Sequence, residues 1–331
     1  MTRGGLIYTV AMQIQRWFTI LIVLLLVAPT VLAQGTGFQL TGWVRDTYPQ
    51  VSPDGQQVVF QSNRSGSNQI WIMQSDGSGL TRITDVIEQA SGQGAETPAW
   101  SPDGRWIAFA VYVEKDNNDV FIMRPDGSEQ TRLTHGTGFD DHPHWSADGE
   151  QIIFNSNRDT PDPEAPWHLG YHDIWSVRPD GSDEVKLLAC ETVCTYASLS
   201  PDGRKLAYRR VDDSVGLNWL HESGVRNSEV YLYDLDSKEN RLLAGHPAFD
   251  GWPVWSPDGE WVVFASNRGV ASLQGQVWRV RQDGSDLQQV TEGEWSHTQP
   301  SVSQDGRSMW VYRFQEALDH EYGGVARIPL P

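Results

Sequence analysis

The sequence is short of cysteine, of positive charge and of long apolar runs, and each shortage removes a class of function. Its 331 residues hold two cysteines, Cys190 and Cys194. One C-x3-C pair without further cysteine or paired histidine is a poor zinc signature, and in an exported chain it reads as a local disulfide. Lysine and arginine number 25 against 43 aspartates and glutamates, a formal net charge of −18. Such an excess of acid repels phosphate backbones and anionic headgroups, which argues against nucleic acid or a lipid surface as partner. The G-x-S-x-G elbow of an α/β-hydrolase is missing.

One apolar run stands out, from Phe18 to Ala28, and it is shorter than a comfortable membrane span. Arg3 and Arg16 precede it and the small residues of Val31-Leu32-Ala33 follow. Residues 1–33 therefore read as a signal peptide cleaved after Ala33, with an uncleaved N-terminal anchor as the alternative. No cysteine follows the cleavage point, which speaks against a lipoprotein. Removal of Arg3 and Arg16 would take the net charge from −18 to −20. The expected location is periplasmic or secreted, with residues 34–331 as one domain.

What the chain has in abundance is a turn. Trp100-Ser101-Pro102-Asp103-Gly104 recurs as Ser52-Pro53-Asp54-Gly55, Ser146-Ala147-Asp148-Gly149, Ser200-Pro201-Asp202-Gly203, Ser256-Pro257-Asp258-Gly259 and Ser303-Gln304-Asp305-Gly306. Copies about fifty residues apart indicate a solenoid, an array or a propeller. Proline presets one φ and glycine frees the next, so each copy is a hairpin turn. A Pro-x-aromatic step precedes it most clearly in Pro98-Ala99-Trp100, Pro143-His144-Trp145 and Pro253-Val254-Trp255. β-branched and aromatic runs follow, such as Val58-Val59-Phe60 and Ile107-Ala108-Phe109, and these are strands. A third run, a second Asp-Gly turn and a short fourth run ending near Ile83-Thr84, Leu133-Thr134 or Val290-Thr291 complete the unit.

Four antiparallel strands repeated radially make a propeller blade. The expected fold is all-β, a six-bladed β-propeller of four-stranded blades. The sixth unit ends with Val325-Ala326-Arg327-Ile328 and lacks a fourth strand, which residues 37–41 are expected to supply, closing the ring and removing an exposed edge. The repeats resemble those of the TolB-type propeller family over essentially the whole mature chain. The TolB protein carries a further domain before its propeller, whereas few residues separate Ala33 from the first strand here, so the resemblance implies the fold more than a Tol-Pal role. Similar propellers cap peptidases of the prolyl oligopeptidase type, but with the sixth repeat reaching the last residues and no G-x-S-x-G elbow, the expectation is a propeller without a hydrolase domain.

Chain direction assigns the loops to two faces. The turns between strands one and two and between three and four share a face of tight Asp-Gly turns; the other face receives the insertions at 86–96, 159–172, 211–228 and 269–275. Loops held on a rigid scaffold are where binding groups concentrate. Around the channel mouth on that face, the position before the inner-strand proline reads Tyr48, Thr97, His142, Tyr196, Trp252 and Gln299, with Ala197 replacing the proline in blade four. Two residues earlier stand Asp46, Asp140, Asp250 and His297 among others, and the insertions add Trp167 and Trp219. Aromatic planes with carboxylates and imidazoles suit stacking on sugars or anchoring a partner chain; the alternative is that the aromatics only pack the long loops down. The repeated Trp100, Trp145, Trp255, Trp71, Trp175 and Trp278 read as inter-blade core, and the repeated Ser-Asn-Arg at 62–64, 156–158 and 266–268 as loop capping.

Two readings involve a cation. Some propellers of this kind resemble oligogalacturonate lyases, in which mouth histidines hold a metal; the resemblance implies His142 and His297, with Asp140 or Asp250, as ligands. A structural cation held by Asp46, Asp140 and Asp250 near the axis is the second. The preferred expectation is an exported, monomeric, non-catalytic scaffold that binds a protein or carbohydrate of the cell envelope or exterior through the long-loop face, without a cofactor.

Overall fold

Alternating β-branched and aromatic residues between Asp-Gly turns leave the chain little choice but strand. The computed structural model describes residues 44–86, 94–114, 117–161, 171–215, 226–269, 275–315 and 323–331. In these the chain forms six antiparallel sheets and no helix, five of four strands and the last of three. The inner strands are Asp46–Val51, Ala95–Trp100, Asp140–Trp145, Cys194–Leu199, Asp250–Trp255 and Ser296–Val302. This is the expected six-bladed propeller. Residues 37–41, read as the strand completing blade six, lie outside the described residues.

The recurrent turn is self-sufficient. In all six copies the serine hydroxyl donates to the aspartate Oδ1 at 2.5–2.7 Å. The same Oδ1 accepts the backbone N–H two residues on, at 3.0–3.1 Å. The serine Oγ in turn accepts the N–H at or just before the start of the second strand, at 2.9–3.1 Å. The glycine sits at φ between 67 and 74°, which a side chain would resist.

In blades one, two and five the fourth strand is shorter than its sequence pattern, and the threonine in that pattern explains why. Where the backbone ladder ends, Thr84, Thr134 and Thr291 offer Oγ1 to the N–H groups of Ile70, Val120 and Val277 at 2.9–3.0 Å. A side chain continues the pairing that backbone would otherwise make.

Apolar packing lies mainly between blades. Phe60, Phe109, Phe154, Tyr208 and Phe264, all on second strands, are at most 1 % exposed, and each such burial contributes about 1.5–3 kcal/mol. The expected inter-blade tryptophans do more than fill space. The Nε1 of Trp100 donates to Gln50 O at 3.2 Å, that of Trp145 to Ala99 O at 3.1 Å and that of Trp255 to Ser198 O at 3.2 Å, each reaching the inner strand of the preceding blade. Blades one and six also meet: Val51, Val58, Phe60 and Met73 share a cluster with Trp310 and Val325.

Candidate functional site

Every inner strand carries the same irregularity. Pairing runs from Thr47 opposite Gln61 to Gln50 opposite Val59, so Tyr48 and Pro49 together face Phe60. The same single-residue bulge occurs at Thr97-Pro98, His142-Pro143, Tyr196-Ala197, Trp252-Pro253 and Gln299-Pro300. Bulges re-aim side chains, and here the first bulge residue adopts the left-handed region. Tyr48, Thr97, His142, Tyr196, Trp252 and Gln299 have φ between 50 and 56°. Residues before proline normally stay extended, and non-glycine residues in this region are strained, a strain that tends to accompany functional positions.

The six bulges converge on one cavity of about 70 Å³, lined by these residues, the prolines behind them and several following residues, His144 included. The mouth positions read from the sequence therefore line a single space. Its wall is a run of rings: Tyr48 and His142 have centroids 5.5 Å apart, His142 and Tyr196 lie edge to face at 4.3 Å, and Tyr196 and Trp252 are 5.4 Å apart. The N–H groups loosened by the bulges are met by side chains. Tyr48 N donates to Gln299 Oε1 at 2.7 Å, Thr97 N to Gln61 Oε1 at 3.2 Å and His142 N to Asp141 Oδ1 at 2.8 Å.

Burial governs the electrostatics. It lowers the pKa of His142 against the opposing pull of Asp141, and it takes His144 down to about 4, so both imidazoles are neutral at pH 7. The Tyr48 and Tyr196 phenols are raised, again chiefly by burial. On the side of blades two and three stand Asp141, whose Oδ1 also accepts Thr97 Oγ1 at 3.1 Å, and Glu96, raised to about 7 by burial and then by Asp141. On the side of blade four stands Arg209, buried against the Tyr196 and Phe249 rings. The wall is thus uncharged and aromatic, with acid at one edge and a cation at another.

The carboxylates expected at the mouth are elsewhere. Asp46 pairs with Arg64 at 2.6 Å, Asp140 with Arg158, and Asp250 with Arg268; all three aspartates are buried. Equal spacing along the strand had placed them on the channel side, but the bulge breaks the alternation, and the arginines of the repeated Ser-Asn-Arg claim them. Those arginines also cover the rings of Trp71, Trp175 and Trp278. Burial raises Asp140 to about 6 despite Arg158. Gathering Asp46, Asp140 and Asp250 about a cation at the axis is thereby corrected.

His297 is not beside His142 on the cavity wall; it is buried, with Nδ1 3.2 Å from Gln276 Oε1, and among the described residues no three His, Cys, Asp or Glu are placed to hold a metal ion. Trp167 and Trp219 lie outside the described residues. Cys190 and Cys194 form the expected disulfide. Missed from the sequence were Glu96, Asp141, His144 and Arg209. His144 carried a signal, standing two residues after His142; Arg209 carried none, because it follows an apolar strand core.

Comparison with known proteins agrees with this architecture. The family model described as the Tricorn protease N-terminal beta propeller domain matches residues 89–313. An uncharacterized peptidase of Bacillus subtilis (strain 168), YuxL, is 29% identical over 70% of this chain and 31% of its own length, so the chain spans about a third of that relative. A TolB homolog of Chlorobium luteolum is 29% identical over 56% of the chain and 36% of its own length. Among solved structures, TolB from Acinetobacter baumannii superposes with a TM-score of 0.59 at 15% identity, over 89% of this chain and 65% of that one, a likeness of fold.

Proposed function

This chain belongs to the family of the Tricorn protease N-terminal beta propeller domain, with the TolB-type repeat, and from that premise we propose that it is an exported, non-catalytic scaffold holding a protein partner of the cell envelope at its axial mouth. One observation carries the reading. Six strained bulges turn Tyr48, Thr97, His142, Tyr196, Trp252 and Gln299 onto one cavity, and a repeat that keeps strain at a position while varying its side chain is a device for presenting side chains rather than for packing.

Chemistry at the mouth suits holding. The aromatic faces offer contact area at low entropic cost, and the segment at 1–33 supports a place outside the cytoplasm. TolB relatives support an envelope protein as the partner, with a glycan as the lesser choice. The test is a pull-down from an envelope extract with the wild-type chain and with Tyr196→Ala/Trp252→Ala. A partner retained by the wild type and lost by the double variant supports the scaffold. Identical recoveries from the two would refute it.

A further inference from the structure

Arg209 is a buried cation to which the described part of the molecule gives no counter-charge. It lies opposite Thr195 on the second strand of blade four. The counterpart of this register in blade one, Gln61, turns its carboxamide onto the channel residue Thr97, and the counterpart in blade three, Asn155, bears on His142. The register therefore faces the channel wall. The Arg209 residue is 9 % exposed, and its guanidinium carbon lies 5.7 Å from the Tyr196 ring centroid and 5.2 Å from that of Phe249. Its hydrogen bond is from Nη1 to Thr195 Oγ1, at 3.3 Å.

Among the described residues the Nε has no partner, and only the phenols of Tyr196 and Tyr48 act on its charge. Arg64, Arg158 and Arg268 each have a buried aspartate instead. A guanidinium held dry by two rings, with donors left over, is organised to take an anion, and its planar fork fits a carboxylate.

We propose that the channel mouth recognises the free C-terminal carboxylate of a peptide partner, with Arg209 pairing the carboxylate while the preceding residues lie along Tyr196 toward Glu96 and Asp141. The assignment rests on the binding reading above and names the group that is bound. One observation favours a peptide end over an acidic sugar. The acid edge formed by Glu96 and Asp141 suits backbone N–H donors and would repel the next carboxylate of a uronate chain.

Saturation-transfer NMR on the full chain tests this with N-acetylglycine, N-acetylglycinamide and galacturonic acid as probes. N-acetylglycine should bind at least about tenfold more tightly than the other two, the worth of a charge-assisted pair. Arg209→Met and Arg209→Gln should abolish that binding while unfolding at or above the wild-type temperature, since each removes a buried unpaired charge. Should both fail to fold, Arg209→Lys still reports, because loss of the fork should weaken N-acetylglycine about tenfold. Equal transfer to acid and amide, preference for galacturonic acid, no binding of N-acetylglycine, or binding unchanged in any arginine variant overturns the proposal. Partner capture through Tyr196 and Trp252 without N-acetylglycine binding removes the carboxylate site and leaves the scaffold standing; the reverse pattern removes the scaffold partner and leaves the site.

Discussion

Thr97 offers the sharpest test of the strained ring, because a β-branched residue is the least suited of all to its φ of 50°. Its left-handed conformation costs about 1–2 kcal/mol. Against this, its Oγ1 bonds Asp141 at 3.1 Å, worth about 1 kcal/mol, and its buried methyl contributes about 0.8 kcal/mol. Thr97→Ala keeps the strain and loses both contacts, a loss of about 2 kcal/mol by those figures. Thr97→Gly loses the same contacts and about 0.5–1 kcal/mol of chain entropy but relieves the strain, which leaves it about 0.5–1 kcal/mol above the alanine variant. Glycine should thus outrank alanine within a β-strand, the reverse of the ordinary order. Urea unfolding followed by tryptophan fluorescence measures both, with Ala99→Gly, two residues along the same buried strand, as the control that should follow the ordinary order. An alanine variant at position 97 as stable as the glycine variant would show that the ring is unstrained and that its conformation says nothing about function.

Three further outcomes follow from the contacts described. Glu96 is raised from 4.5 to about 7 by burial and by Asp141; the folded chain therefore holds a proton that the unfolded chain releases, so this group's contribution declines as pH rises from about 4.5 to about 7. Glu96→Gln should flatten the fall in unfolding temperature over that window, and an unchanged slope would refute the assignment. Trp145→Phe leaves Ala99 O without its inter-blade donor and should cost about 1–3 kcal/mol, read from urea midpoints at constant m-value. Asp46→Ala strands the half-buried Arg64 and should cost about 3–5 kcal/mol, whereas Asp46→Leu/Arg64→Met should recover most of it; a double variant no better than the single would mean that the pair does not matter as a pair.

The fold was legible because its signals are local and repeated. Ser-Pro-Asp-Gly encodes its turn through its own side chains, and the tryptophan before it recurs in three copies, where its indole N–H bonds the inner strand of the preceding blade. The mouth positions were legible for the same reason, since proline marks five of the six bulges. What could not be read was the consequence of that bulge for residues on its far side. Period-two alternation put Asp140 on the channel, yet one extra residue at His142-Pro143 leaves it facing Arg158. Arg209 escaped notice because nothing before folding says that Thr195, Tyr196 and Phe249, separated by up to some fifty residues in the chain, will enclose it.

The placing of the bulge has a further consequence, for how such a protein can change its target. Each mouth residue has its backbone set by the residue after it, a proline in all blades but the fourth, and by the pairing on either side, while the turn that sets the blade lies at the other end of the same short strand. Architecture and address are therefore written in different codons. Six single-codon changes could rewrite what the mouth presents without editing the instructions for building the ring. A library randomised at Tyr48, Thr97, His142, Tyr196, Trp252 and Gln299 would sample new specificities on an unaltered frame, and drift at those same sites would let copies of one gene diverge toward different partners while still folding alike.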